Sequence, residues 1–214
     1  MSGIFFAVPR ARSNLYRSGL KRALDVVLVL LTLPAVVLLV LLLALAVMLD
    51  GGQPFYSQMR LGRGGRPFRL WKLRSMVPDA DARLQAHLDQ TPAARAEWDA
   101  TQKLRDDPRI TRVGRILRRT SLDELPQLWN VLRGDMSLVG PRPMMPSQRS
   151  LYPGRAYFAL RPGLTGLWQV SKRNEASFAE RASFDDDYHR RLSLALDARV
   201  LLATVRVVLR ATGH

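Results

Sequence analysis

The sequence predicts a mostly helical α+β protein, in which an N-terminal re-entrant membrane helix anchors a small cytosolic domain with interfacial amphipathic helices. Three observations support this fold class. Residues 26–49 form an uncharged apolar run long enough to enter a bilayer. Residues 51–76 alternate apolar and basic side chains, which is typical of short strands. Beyond residue 108, apolar residues recur at helical spacing.

The composition favours a folded protein with an anionic partner. The 214 residues are 47% hydrophobic, which argues against disorder. Lys and Arg number 33 against 18 Asp and Glu, so the net charge is +15. Phosphate esters, anionic lipids and nucleic acids are the partners to consider. There is no cysteine and the three histidines lie far apart, so thiolate zinc sites are excluded and a histidine-rich metal site is not expected.

The charge pattern divides the chain into three segments. Residues 1–22 are a basic N-terminal segment, 23–50 are the membrane helix, and 51–214 are the cytosolic domain. Within that domain, 78–104 form a polar insert that we interpret as surface helices or a mobile loop, and 192–210 form an amphipathic C-terminal helix.

The apolar run is expected to enter the membrane without crossing it. At about 1.5 Å per residue it reaches roughly 36 Å, against a hydrocarbon core of about 30 Å. Basic residues precede and follow it, so the positive-inside rule places both ends on the cytoplasmic side. Pro34 removes the backbone bond to the carbonyl of Leu30, and Thr32 is placed to satisfy a freed carbonyl. We expect a break or kink at Pro34; a tilted span with a proline kink is the alternative.

Two further elements follow from local patterns. Residues 51–76 predict two short strands separated by a turn at 62–67. The apolar positions Ile110, Val113, Ile116 and Leu117 predict a basic helix near a membrane surface or a phosphate, with a merely solvated charged face as the alternative.

The densest candidate site is an acidic pair. Ser121 and Glu124 have the spacing of a capping box, which predicts a helix over 122–132 that ends near Gly134. Asp123 and Glu124 would then lie in its first turn, where the helix dipole favours ionised carboxylates. Such a pair can act as nucleophile, general base or Mg²⁺ ligands. Simple helix capping is the alternative.

Rigid basic turns accompany this pair. Arg142 stands between Pro141 and Pro143, which suits bidentate phosphate binding. Arg161 begins a second proline-glycine turn, close to Gln169. Together with the acidic pair, these residues suit a diphosphate substrate and a divalent ion.

Other functional classes have little support. No P-loop, dinucleotide-binding glycine motif or serine-hydrolase motif is present. Aromatic residues make up only 7% and lack the spacing of a stacking platform, so we expect no nucleic-acid partner. A membrane-tethered basic scaffold that binds anionic lipid without catalysis is the main alternative to an enzyme.

The chain resembles the bacterial sugar transferases, the monotopic phosphoglycosyl transferases that start polysaccharide or glycoconjugate assembly. The resemblance covers nearly all of residues 20–200 and lies in Lys21-Arg22 with Asp25 and in the segments 54–76, 107–143 and 161–174. The long central segment DPRITRVGRILRRTSLDELPQLWNVLRGDMSLVGPRP is the most specific part. The large N-terminal membrane domain of some relatives does not precede the apolar run, so we expect the minimal form.

The resemblance implies an activity and residue roles. It implies transfer of a sugar 1-phosphate from a UDP-sugar to undecaprenyl phosphate, with Mg²⁺ as cofactor and release of UMP. Asp123 would be the nucleophile, forming an aspartyl phospho-sugar, and Glu124 would be tied to the metal. Arg118 and Arg142 match phosphate-contacting arginines, and Lys72 and Arg74 match a basic K-x-R element. We add Arg161 and Gln169 to the predicted substrate-binding residues.

The resemblance also implies a location and partners. It places the protein on the cytoplasmic face of the bacterial inner membrane, in contact with membrane lipids, and includes a re-entrant, proline-broken anchor. Glu97-Trp98 and the segment 166–169 look more like the hexose branch than the acetamido-sugar branch. A homodimer is an arrangement that the sequence leaves open.

Overall fold

The computed structural model describes residues 15–101, 104–171 and 178–209. Within these ranges the protein is mostly helical with two small sheets, which agrees with the predicted α+β class. Most of the predicted basic segment 1–22, two residues of the insert and the last residue of the predicted C-terminal helix lie outside the described residues. The elements in chain order are α1 (Lys21–Leu49), β1 (Phe55–Leu61), β2 (Pro67–Leu73), α2 (Ala80–Gln90), α3 (Pro92–Thr101), α4 (Arg112–Thr120), α5 (Gln127–Arg133), β3 (Ser137–Val139), α6 (Ala156–Ala159), β4 (Gly163–Thr165), α7 (Leu167–Ser171), α8 (Arg181–Arg191) and α9 (Leu194–Leu209).

Helix α1 runs without a break through Pro34, so the chain does not leave the helix there, and a kink at Pro34 stays a prediction. The hydroxyl of Thr32 donates to the carbonyls of Leu28 and Val29, and not to the carbonyl of Leu30 that Pro34 leaves unpaired. The proline removes a single N–H, whereas an apolar helix must keep its other backbone groups bonded internally. The helix is long and apolar enough to cross a membrane by length and composition.

One face of α1 packs against the rest of the protein along its whole length. Near its start, Val29 is buried in the main core and Val36 packs against that core. Near its end, Ala44 and Val47 are buried in a second cluster with Leu73. The other faces of α1 are rich in exposed leucine and valine. Both ends of the apolar helix therefore contact the same folded body.

Polar contacts fix the N-terminal end of α1. Asp25 is buried and accepts hydrogen bonds from the Ser137 hydroxyl at 2.6 Å and the Leu138 N–H at 3.3 Å. Arg22 donates to backbone carbonyls in the last turn of α5. Lys21 forms an ion pair of 2.6 Å with Asp197 of α9. The charged residues before the apolar run thus attach it to α5, β3 and α9.

The predicted strand pair is confirmed. Strands β1 and β2 form an antiparallel hairpin in which Phe55 pairs with Leu73 and Leu61 pairs with Pro67. Strands β3 and β4 form a short parallel pair, with Ser137 opposite Gly163. The main core joins β2, α5, β3, α8 and α9 to α1. The hairpin thereby brings β2 beside the turn that precedes α5.

Four other helices lie in segments where the sequence predicts helices, whereas α6, α7 and α8 were not predicted. The insert forms two helices, α2 and α3. Helix α4 covers the predicted basic helix, with Leu117 buried and Ile116 exposed. Helix α9 buries Leu196 and Val200 and leaves Leu202 exposed. An apolar outer face on α9 is consistent with the predicted interfacial position, which stays a prediction.

Candidate active site

The acidic pair lies in a turn between α4 and α5. Ser121 ends α4 with a left-handed backbone, φ 57°, and its side chain makes no capping bond. The residues Leu122–Glu124 form one 3₁₀ turn, and α5 begins only at Gln127, directly after Pro126. The predicted capping box is therefore wrong, because a helix N-cap needs an extended backbone, whereas left-handed residues end helices. The helix ends at Gly134, φ 88°, as predicted.

Lys72 bridges the two carboxylates. Its ammonium, carried by β2, lies 2.8 Å from Glu124 Oε1 and 3.4 Å from Asp123 Oδ2. Asp123 is buried, with 7% of its surface exposed. Burial raises the pKa of Asp123 and the Glu124 carboxylate raises it further, while the cations Lys72 and Arg118 act to lower it. Since no helix starts at Asp123, the charges of Lys72 and Arg118, and not a helix dipole, favour the ionised form of its carboxyl.

Two predicted phosphate-binding arginines lie near this pair. Arg142 Nη2 is 3.8 Å from Glu124 Oε1, and its guanidinium carbon is 6.0 Å from the ring centre of Trp168. The positive charge of Arg118, in the last turn of α4, acts to lower the pKa of Asp123. Its Nε is buried without a hydrogen-bond partner among the described residues. Arg118 therefore retains an N–H donor to which a phosphate oxygen could bond.

Close backbone packing fixes the turn that carries Arg142. A Cβ at Gly140 would lie 2.4 Å from the Arg161 carbonyl oxygen, and a Cβ at Gly163 would lie 2.1 Å from the Gly140 nitrogen. Such contacts are too short for any side chain. The two proline-containing turns therefore meet backbone to backbone, at the pairing of β3 with β4.

Two other predicted binding residues lie elsewhere. Arg74 donates to the Val47 carbonyl near the end of α1, at 3.2 Å. Arg161 donates to the Gly134 carbonyl at 2.9 Å and lines a separate polar cavity of about 760 Å³ at the hairpin turn. Burial, and then the charges of Arg63 and Arg22, lower the pKa of Arg161. Both side chains hold backbone carbonyls in the structure, and their role in substrate binding stays a prediction.

Gln169 shares a cavity with Glu124, and its role in substrate binding stays a prediction. It is buried in α7 and lines a cavity of about 200 Å³ that Glu124 and Arg142 also line. Neither its Oε1 nor its Nε2 has a hydrogen-bond partner among the described residues. A buried amide of this kind normally bonds to something, so Gln169 is suited to contact a ligand.

Sequence reasoning missed an arginine and an aspartate on α8. The Arg181 guanidinium lies 4.2 Å from the ring centre of Trp168 and 4.8 Å from that of Phe178. One turn later, Asp185 is buried and accepts a 2.6 Å hydrogen bond from the Tyr152 hydroxyl. The available sequence signal was the spacing of four residues between Arg181 and Asp185, which places both on one face of a helix. Burial raises the pKa of Asp185 to about 7.

Arg60, Arg142 and Arg181 form a cationic cluster beside Glu124. Burial and then the charge of Arg142 lower the pKa of Arg60. Burial, followed by the charge of Arg142, lowers the pKa of Arg181 to about 10. Cations that depress one another in this way are stabilised when an anion binds between them. The cluster therefore suits a ligand with more than one phosphate charge.

The acidic pair fits Mg²⁺ only as part of a site shared with a substrate. Within the described ranges, no group of three or more His, Cys, Asp or Glu side chains could hold a metal ion. Mg²⁺ is commonly bound by one or two carboxylates together with substrate phosphates and water. Asp123 and Glu124 meet that requirement once a diphosphate is present.

Comparison with known proteins decides the family. Residues 16–211 match the bacterial sugar transferase family. The chain belongs to this family. The match covers α1, the hairpin, the acidic pair and α9 in a single stretch.

Individual relatives of this sugar transferase have named activities. It is 49% identical, over 95% of its length, to a UDP-galactose-lipid carrier transferase of Erwinia amylovora. It is 45% identical, over 90%, to the exopolysaccharide production protein ExoY of Sinorhizobium fredii, and 44% identical, over 95%, to an undecaprenyl-phosphate galactose phosphotransferase of Salmonella typhimurium. It spans 44% of the Erwinia and Salmonella proteins and 87% of ExoY.

Proposed function

We propose that this sugar transferase moves a sugar 1-phosphate from a UDP-sugar to undecaprenyl phosphate, an early step in exopolysaccharide synthesis, and releases UMP. The observation that carries the proposal is the buried Asp123–Glu124 pair held by Lys72 and faced by Arg118 and Arg142. Family membership and the names of the Erwinia, Sinorhizobium and Salmonella relatives support this choice. A scaffold that only binds lipid would have no need for a buried acidic pair.

In the first half-reaction, an oxygen of the Asp123 carboxylate attacks the β-phosphorus of the UDP-sugar. The bond from that phosphorus to the bridging oxygen breaks, and the bridging oxygen leaves with UMP. Lys72, 3.4 Å from Asp123 Oδ2, favours the ionised carboxylate and so opposes the effect of burial on its pKa. Arg142 and Arg118 bind the phosphate oxygens and orient the donor.

In the second half-reaction, a phosphate oxygen of undecaprenyl phosphate attacks the phosphorus of the aspartyl phospho-sugar. A diphosphate bond forms, the bond to Asp123 breaks, and the carboxylate is restored. The nucleotide donor and the lipid acceptor thus use one site in turn.

Glu124, with Asp123, would hold Mg²⁺ when the diphosphate is bound. The ion would supply additional positive charge to the phosphate oxygens and the leaving group. Lys72 lies between the same carboxylates, so we expect its contacts to change when the ion binds.

We further propose that α1 enters the cytoplasmic face of the inner membrane without crossing it. Asp25 and Val47 both contact the folded body, although 22 intervening helical steps span roughly 33 Å. A helix that crossed the roughly 30 Å hydrocarbon core would place its two ends on opposite sides. The chain segments on both sides of the helix are basic, which supports one cytoplasmic side.

For the donor we propose a UDP-hexose, with UDP-galactose as the first to test. Galactose stands in the names of the Erwinia and Salmonella relatives. Incubating the purified protein with each UDP-hexose, Mg²⁺ and undecaprenyl phosphate, and comparing UMP release, would rank the donors. UMP release with acetamido sugars alone would contradict the hexose proposal.

The nucleophile is tested by intact-protein mass spectrometry. After mixing with UDP-sugar and Mg²⁺ without lipid, the wild type should gain one sugar phosphate, and Asp123→Asn should gain none. Asp186→Asn, an exposed substitution of the same kind on α8, is the matched control and should form the adduct. An equal adduct on Asp123→Asn would mean that another residue is the nucleophile.

A further inference from the structure

A largely apolar cavity opens beside the acidic pair. It has a volume of about 200 Å³ and lies between α9 and the segments around β4 and α7. Leu201 and Val207 of α9 form one side, and Leu164 and Val170 lie among the residues that complete the lining. Aliphatic side chains of this kind favour hydrocarbon over water or a hydroxylated ligand.

The cavity is lined by polar and charged side chains as well as by aliphatic ones. The hydroxyls of Thr165 and Thr204 bond to each other at 2.6 Å. Glu124 and Arg142 line the same cavity as the aliphatic residues. One continuous space therefore joins a site for phosphate to a site for hydrocarbon.

This combination matches an amphiphile and does not match the sugar of the donor. A sugar carries several hydroxyls that each need a partner when buried. Among the described lining residues, only the Gln169 side chain has buried polar atoms without a hydrogen-bond partner. A phosphate with an attached hydrocarbon chain would satisfy Arg142 at one end and the aliphatic lining at the other.

We infer that this cavity binds the first part of the polyprenyl chain of the acceptor, next to its phosphate. The inference rests on the proposed function, since the acceptor is part of it. The volume admits a short stretch of hydrocarbon only, so the rest of the chain extends outside. The exposed Leu202 of α9 offers an apolar surface that continues toward lipid.

A matched pair of substitutions on α9 tests the inference. Val207 lines the cavity, whereas Val205 is 55% exposed and does not. Val207→Phe should raise the KM for polyprenyl phosphate by about tenfold, comparable with losing the burial of about two methylene groups. It should leave the lipid-independent sugar-phosphate adduct unchanged. Val205→Phe should match the wild type in both assays.

A direct labelling experiment on the wild type tests the inference even if the Val207→Phe variant fails to fold. Wild-type protein in phosphatidylglycerol nanodiscs is irradiated with a prenyl phosphate that carries a diazirine near its phosphate. The label should map to residues that line the cavity, on α9 within 200–209 or on the facing segments around β4 and α7, and be displaced by undecaprenyl phosphate. Label elsewhere, or equal displacement by added phosphatidylglycerol, would overturn the inference.

The outcomes separate this inference from the proposed function. Loss of the adduct in a folded Val207→Phe protein would assign the cavity to the donor and overturn the inference alone. An unchanged KM in that variant would also overturn it. A wild type without adduct or transfer would refute the proposed function, whereas labelling of α9 would still report a chain-binding site.

Discussion

The buried carboxyl of Asp185 gives a quantitative prediction about how the stability of the protein depends on pH. Its carboxyl is buried, accepts a hydrogen bond from Tyr152 and is attracted by Arg181, yet burial raises its pKa from 3.8 to about 7. Between these values the folded protein keeps a proton that the unfolded chain loses. The group therefore destabilises the fold as pH rises, by about 1.4 kcal/mol per pH unit and by about 4 kcal/mol in total above pH 7.

The substitution Asp185→Asn should remove this pH dependence. Asn resembles the protonated carboxyl in size and can still accept the Tyr152 hydrogen bond. The variant and the wild type should unfold at similar temperatures at about pH 4.5. The variant should become the more stable by roughly 10 °C near about pH 8, at about 2–4 °C per kcal/mol for a chain of this size.

The assay is thermal unfolding in detergent micelles at several pH values, followed by near-UV circular dichroism. Asp186→Asn on the same helix controls for the loss of one negative charge and should keep the pH slope of the wild type. A variant that loses stability relative to the wild type as pH rises would refute the reasoning. It would show that Arg181 holds the folded carboxylate ionised.

Three further substitutions test the site and the anchor. Arg142→Lys should lower the kcat of UMP release about tenfold or more, because a single ammonium cannot reproduce the guanidinium fork; full activity would remove Arg142 from the phosphate site. Tags at positions 5 and 85 should both be accessible only from the cytoplasmic side, and Pro34→Leu should leave this pattern unchanged, because α1 is already continuous through Pro34. An N-terminal tag accessible from outside would refute the non-crossing anchor if seen in the wild type, and would show that Pro34 controls the topology if seen only in the variant. Arg22→Gln should cost about 1.5–3 kcal/mol by removing charged donors from the carbonyls of Val131 and Leu132, measured as a lower unfolding temperature; an unchanged value would show that the contacts are not stabilising.

Local sequence was sufficient for the elements defined by local pattern. The uncharged run at 26–49 predicted α1, and alternation around a glycine-rich turn predicted the β1–β2 hairpin. The end of α5 at Gly134 followed from the conformational freedom of glycine. In each case the deciding residues are neighbours in the chain.

The start of α5 shows where local pattern misleads. Ser121 and Glu124 have capping-box spacing, but Ser121 already ends α4 in a left-handed conformation. Likewise, Pro34 did not interrupt α1. A short motif records what a residue can do, whereas the neighbouring elements determine which of its conformations is adopted.

The acidic pair and its basic neighbours were predictable as residues, but their arrangement was not. Lys72 lies 51 residues before Asp123 and meets it only because β2 packs beside the turn before α5. Arg74 and Arg161 resemble Lys72 and Arg142 in sequence terms, yet they hold the carbonyls of Val47 and Gly134.

The sequence by itself determined the long apolar helix, the hairpin, the excess positive charge and the presence of a carboxylate pair. Only the tertiary structure decided which cations face that pair, that Arg181 and Arg142 lie over the same Trp168 ring, and that an apolar cavity adjoins Glu124. The physical reason is the distance along the chain over which each effect acts. Hydrophobic periodicity and turn preference act over a few residues, whereas ion pairing, burial and cavity shape depend on side chains that only folding brings together.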